Sequence, residues 1–327
     1  MTRTRTIQVP APAAPVARIA VALLTVYVIW GSTYLGIRVV VTNGLPALMS
    51  MGSRFVAGGA ILLAVLAARR GVGALRVDRA QLVASGVVGL LLLLGGNGLV
   101  SVAEKTVPSG LTALLVATTP LWMVVLGVFL RRPTRAATWA GTLVGFAGTA
   151  ILARPGTQGE VQWWGIGLIL VATSFWALGS LLSGRLRMPP DPFVGAAYQM
   201  VIGGTAMVAV GALVGEGRGL DLTAVTADGW FALAYLTTFG SLVAYTAYYW
   251  LLGHAPLQLV STYAYVNPVV AVLLGWVLLD EEVTSMVLLG GAVALLGVVV
   301  VVSSERRGSE PEPEEESRPA LTVERSD

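Results

Sequence analysis

The 327-residue sequence contains no cysteine and a single histidine, His254. Without cysteine there is no disulfide framework, no thiolate metal site and no cysteine nucleophile. One histidine excludes a multi-histidine metal centre. Charge is also scarce: 12% of residues are Asp, Glu, Lys or Arg, about half of the roughly 25% usual in soluble domains. That shortage excludes a water-soluble globular enzyme, a disordered chain and a nucleic-acid binder. The net charge of +3 is no nucleic-acid footprint, because the arginines sit in short loops between apolar runs. What the chain does have is apolar residues, 55% of the total, giving a mean hydropathy of +0.77. The partner implied is a lipid bilayer.

A spanning helix needs about 20 predominantly apolar residues. Ten such segments are expected, at 18–38, 46–68, 81–103, 109–130, 136–153, 163–184, 192–214, 229–252, 256–279 and 284–303. They are separated by turn or charge clusters such as Asn43-Gly44, Arg69-Arg70-Gly71, Arg154-Pro155-Gly156, Pro189-Pro190 and Asp280-Glu281-Glu282. The loops are short, which favours antiparallel neighbours in one bundle. Residues 1–17 read as a disordered cytoplasmic arm. They do not read as a signal peptide, because their small residues precede the apolar run instead of following it. Residues 304–327 hold eight acids, four arginines and three prolines, the composition of a disordered acidic cytoplasmic tail.

Counted alternately, one set of loops carries fourteen basic residues, Arg3, Arg5, Arg18, Arg69, Arg70, Arg76, Arg79, Arg131, Arg132, Arg135, Arg185, Arg187, Arg306 and Arg307. The opposite set carries three, Lys105, Arg154 and Arg218. The positive-inside rule then puts both termini in the cytoplasm and requires an even number of spans. The acidic loop Asp280–Glu282 falls outside.

The sequence also repeats. At a shift of 148, Pro108 falls on Pro256, Pro120 on Pro268 and Gly127 on Gly275; at 146, Trp30 falls on Trp176; at 149, Gly141 falls on Gly290 and Gly148 on Gly297. The chain reads as two five-helix halves, 18–155 and 156–303. Five is odd, so the second half enters the membrane from the opposite side. Such inverted halves can exchange conformations around a site at their interface, the layout of a secondary transporter.

The residues that carry this pattern also resemble a known family. Trp30-Gly31-Ser32-Thr33-Tyr34 with Arg38, Met51-Gly52-Ser53-Arg54-Phe55, Ala103 through Leu111, Thr118-Thr119-Pro120 and Ser261 through Pro268 are similar to the EamA family of the drug/metabolite transporter superfamily. The resemblance covers residues 18–303. It implies an all-α integral membrane protein with ten transmembrane helices in two inverted EamA repeats. It also implies alternating access and export of small metabolites, often amino acids, across the bacterial inner membrane, with no cofactor.

Pro120 and Pro268 fall at matching mid-helix positions in spans 4 and 9. Each removes a helix hydrogen bond and clashes with the carbonyl four residues earlier, here Val116 and Ala264. Such an orphan must be satisfied by a neighbour, by water or by a ligand. Both prolines are therefore candidates for gating, set against passive kinks. Thr118, Thr119 and Asn267 adjoin them. Span 3 puts Asn97, Ser101 and Glu104 on one face, and the matching face of span 8 carries Tyr245, Tyr248 and Tyr249. Span 1 adds Trp30, Thr33 and Tyr34, span 6 Trp176 and Ser180, and span 9 Tyr263 and Tyr265. An aromatic wall with a few hydroxyls and amides suits a small molecule with an apolar side chain; the competing reading is anchoring at the headgroups, the role expected of Trp163, Trp164 and Trp230.

Arg54 lies about eight residues, or about 12 Å, into span 2. A charge at that depth should face the interior or a wet cavity. It either holds a substrate carboxylate, pairs with Glu104 or backbone carbonyls, or snorkels. Arg38 is expected to snorkel. Glu104 either couples protons, if desolvated, or forms a solvated pair beside Lys105. His254 reads as a solvated turn residue. The glycines Gly141, Gly145, Gly290, Gly291 and Gly297 permit close helix approach, within the bundle or in a homodimer; monomer and homodimer both remain open. The reading is a secondary exporter of small metabolites, amino acids with neutral or apolar side chains first, with drugs, nucleobases or other metabolites as the alternative. An integral-membrane enzyme is disfavoured because acid clusters, paired histidines and nucleotide motifs are missing. A channel is disfavoured because charged rings and filter loops are missing.

Overall fold

A computed structural model describes residues 16–130, 135–152 and 162–309. Most of the expected arm and tail, together with Arg131, Arg132 and Arg154, lie outside the described residues. Among the described residues the regular structure is entirely helical. The principal helices are α1 (Val16–Thr42), α2 (Ala47–Arg70), α3 (Arg79–Ala103), α4 (Ser109–Phe129), α5 (Ala136–Leu152), α6 (Trp163–Ser183), α7 (Pro192–Leu213), α8 (Ala227–His254), α9 (Tyr263–Leu279) and α10 (Ser285–Ser309). Eight of them are long and apolar enough to cross a membrane; α5 and α9, with 17 residues each, are shorter apolar helices. The chain is a multi-pass helical membrane protein. Helix α10 runs to Ser309, so residues 304–309 are helical where a tail was expected.

Local chemistry sets the helix starts. Asp78 and Gln81 form a capping box at α3. Asp191 caps α7, with Pro192 in its first turn, and Thr226 caps α8. Packing then joins the two halves. Helix α2 lies against α7, α5 against α10, α3 and α4 against α6, and α1 against α8 and α9. Small residues let the backbones meet: a Cβ at Gly204 would sit 2.7 Å from the Gly52 carbonyl oxygen, and one at Gly141 would sit 2.9 Å from that of Gly297. The glycines of α5 and α10 are thus used inside the bundle.

Two helices depart from α geometry at matching places. α3 contains a π-helical run, Leu90–Gly98, and α8 another, Leu236–Tyr245. α4 is interrupted at Ala117–Thr118, between Ser109–Val116 and Thr119–Phe129. Pro120 therefore sits in the first turn of the second piece, where no amide is needed, instead of in a mid-helix kink. Pro268 does lie inside its helix, α9. The two prolines match in sequence but not in structure.

Candidate functional site

A cavity of about 70 Å³ lies where the two halves meet. One water needs roughly 10–15 Å³ of such space, so the cavity holds several waters or the compact end of a small metabolite. α1 offers one helical face, Trp30, Thr33 and Tyr34; α2 offers Arg54; α3 and α8 offer Asn97 and Tyr245 from their π-helical runs; α6 and α9 offer Trp176 and Tyr263. π-helical segments recur at functional sites, and here both help build the wall. The aromatic rings pack edge to face: Trp30 lies 5.5 Å from Trp176 at 83° and 5.4 Å from Tyr263 at 88°. Ile37, Phe55, Val100, Val116 and Ala172 complete much of the remaining wall. The sequence carried no mark for them, because an apolar residue facing a cavity reads like one facing lipid or core.

Arg54 is 3% exposed. Its Nη2 donates to the Asn97 Oδ1 at 2.9 Å, and its Cζ lies 4.5 Å from the Phe55 ring centroid. Nε and Nη1 have no hydrogen-bond partner among the described residues. Ion pairs among the described residues include Arg70–Asp191, Lys105–Glu216 and Arg187–Asp78; Arg54 does not pair with Glu104.

Several other candidates stand behind the wall. Ser101 donates to the Gly98 carbonyl (2.7 Å), Thr118 to that of Leu115 (2.6 Å) and Ser180 to that of Trp176 (2.9 Å). The Thr119 hydroxyl donates to the Val116 carbonyl at 2.6 Å, which fills the acceptor expected to be orphaned by Pro120. Tyr248 is buried, with its hydroxyl 3.0 Å from that of Ser180 and its ring 4.7 Å from Trp30, tilted at 43°. With its nitrogen turned towards them, the Asn267 amide donates to the carbonyls of Tyr263 (3.2 Å) and Tyr27 (3.1 Å). Tyr249 lines a separate pocket at the arginine-rich end, with Pro190 and His254. His254 itself stacks on Trp250. The side chain of Tyr265 lies outside the described residues. A residue the sequence reading missed, Gln199 of α7, accepts the Tyr245 hydroxyl at 2.5 Å.

Three charged groups depart from expectation. Glu104, on the turn beyond α3, is 0% exposed and neither carboxylate oxygen has a partner among the described residues. It is not in a solvated pair with Lys105, which turns to Glu216 at 3.5 Å. Burial pushes the Glu104 carboxyl well above the usual carboxylate range, with nearby Arg38 opposing. Arg38 does not snorkel; it donates to the Glu104 main-chain carbonyl. Glu281, of the acidic loop expected to fall outside, is not left to solvent: it accepts the amides of Ser109 (2.7 Å) and Gly110 (3.0 Å) at the start of α4. Glu216 does the same for α2, accepting Leu48 (2.8 Å) and Met49 (3.0 Å). Local spacing gave no hint of these contacts, since donor and acceptor lie in opposite halves.

Among the described residues no group of three or more metal-ligating side chains converges, and no nucleophile–base pair faces the cavity. The site can bind and enclose a molecule. The comparisons agree with that. The profile of the EamA-like transporter family matches residues 17–154 and again residues 163–303. The chain is 39% identical over 267 residues to the uncharacterized inner membrane transporter YedA of Escherichia coli K12, covering 81% of this chain and 84% of YedA. It is 24% identical to the uncharacterized transporter sll0355 of Synechocystis, covering 84% of this chain and 86% of that one. A crystal structure with 23% identity superposes with a TM-score of 0.63 over 90% of this chain and 99% of its own, which shows a shared fold. With its two profile matches spanning both halves of the helical bundle, the chain belongs to the EamA-like transporter family.

Proposed function

We propose that this protein is a secondary transporter that exports small metabolites, amino acids with neutral or apolar side chains first, by alternating access across a bacterial inner membrane. The observation that carries the reading is the cavity between the two halves, walled by aromatic rings and a few polar groups. The inverted arrangement supplies a means of opening it to one side at a time. In this reading α5 and α9 also cross the bilayer, giving ten spans, and the arginine-rich end with both termini faces the cytoplasm. Pro268, inside α9, acts at a gate, Pro120, in a helix first turn, is the weaker gating candidate, and Glu104 is the residue for any proton coupling. The cavity is complete within one chain, so a monomer suffices. The name of YedA, an inner membrane transporter, supports the location.

The test is flux of radiolabelled threonine, leucine, phenylalanine and tryptophan into liposomes holding the purified protein. Saturable, protein-dependent flux of at least one is expected. Its absence across the panel, with folded protein, would remove amino acids from the reading.

A further inference from the structure

Among the described residues Arg54 is the one charged side chain in the cavity wall. Asn97 takes one of its five N–H donors, while Nε and Nη1 are left without partners. No carboxylate lines the cavity among the described residues. Glu104 acts on Arg54 electrostatically but stands outside the wall, and Arg38 faces it too. Glu104 also faces a second carboxyl, Glu281, so the two guanidinium groups outnumber the carboxylates only while Glu104 holds its proton.

A buried cation with free donors is costly to leave uncompensated. A bound carboxylate matches the guanidinium fork and removes that cost. A zwitterion brings its own ammonium into the same low-dielectric space, and there is no acid in the wall to receive it. We propose that, resting on the transport reading above but reversing its order of substrates, the protein prefers a monoanion, a small monocarboxylate with a branched or aromatic body and no ammonium group, over the amino acid of the same body.

This choice has an energetic consequence. Carrying one negative charge out of an inside-negative cell is driven by the membrane potential itself, by about 2.3 kcal/mol per 100 mV, or about 50-fold in the substrate gradient. A facilitator of a monoanion is thereby an exporter without a proton or a counter-substrate. The aromatic wall around Trp30 and Trp176 holds the apolar body, and Arg54 reads the charge.

The experiment compares two molecules with one branched body, 4-methyl-2-oxopentanoate and leucine, using the full chain in liposomes clamped with potassium and valinomycin. The oxo acid is expected to half-saturate at a concentration at least about tenfold lower than leucine. Its steady-state gradient should move about 50-fold per 100 mV, while that of leucine stays put. Arg54→Gln should abolish the preference, and Arg54→Lys should keep its sign with weaker binding. Equal or tighter half-saturation by leucine, or an oxo-acid gradient blind to the potential, overturns the proposal and leaves the transporter reading standing. Quenching of tryptophan fluorescence in the detergent-solubilised protein separates the two ideas from the other side. Saturable quenching by the oxo acid without flux keeps the anion site and removes transport; quenching by leucine alone removes the anion site.

Discussion

Arg54 and Glu104 are both buried, and what differs is what each can bond to. Arg54 has Asn97 beside it and a cavity in front of it. Neither Glu104 oxygen has a partner among the described residues. For an acid raised by burial, the folded state keeps a proton that the unfolded chain gives up. Its stabilising contribution is therefore full below the unfolded carboxyl range, and it is lost as pH rises towards the elevated folded value. Glu104→Gln removes this titration. The variant should melt higher than the parent at pH 8, and the gap should narrow as pH falls and close only below about pH 4. A melting-temperature gap independent of pH would show that Glu104 does not titrate in this way. Arg54 was legible in the sequence, because its depth follows from counting residues past Pro46. Glu104 was not: Lys105 next door suggested a pair, and the sequence does not tell which way a turn residue points.

At the scale of elements, the repeat made the helices legible but not their irregularities. Asn97 and Tyr245 are 148 residues apart and both reach the cavity from π-helical runs. No residue type marks a π-helical run, so nothing in the spacing announced it. The prolines give the opposite lesson. Pro120 and Pro268 are also 148 residues apart, yet α4 breaks before Pro120 and α9 continues through Pro268. A proline in a first turn costs little, whereas one in an interior removes a bond and is worth about 3 kcal/mol of helix propensity. Pro268→Ala is therefore expected to raise the melting temperature and lower flux several-fold, as a straight, stiffer α9 resists reopening. Pro120→Ala should change both much less. Equal effects of the two replacements, measured side by side in liposomes, would remove the distinction.

At the scale of the molecule, contacts across the two halves close both ends, and they differ in strength. At one end, Glu216 and Glu281 from the second half accept main-chain amides at the starts of α2 and α4 in the first. A hydrogen bond to a charged group contributes about 1.5–3 kcal/mol, and a carboxylate at a helix N-terminus gains further from the dipole. At the arginine-rich end, the halves are joined by Arg70–Asp191 and Arg187–Asp78, by Arg185 donating to the Leu130 carbonyl and by Tyr198 donating to that of Leu75, all at least partly exposed. Such surface pairs contribute about 0–1 kcal/mol each. The arginine-rich end should therefore open more readily than the carboxylate-clamped end. The absence of cysteine makes this testable with one introduced thiol. Val100→Cys, on the α3 wall of the cavity, should react with a membrane-impermeant maleimide from the arginine-rich face of oriented vesicles and little from the other. Adding Glu216→Gln and Glu281→Gln weakens the clamp and should bring labelling in from the clamped face. If labelling from each face is the same with and without the two replacements, the carboxylates cap their helices without holding that end shut.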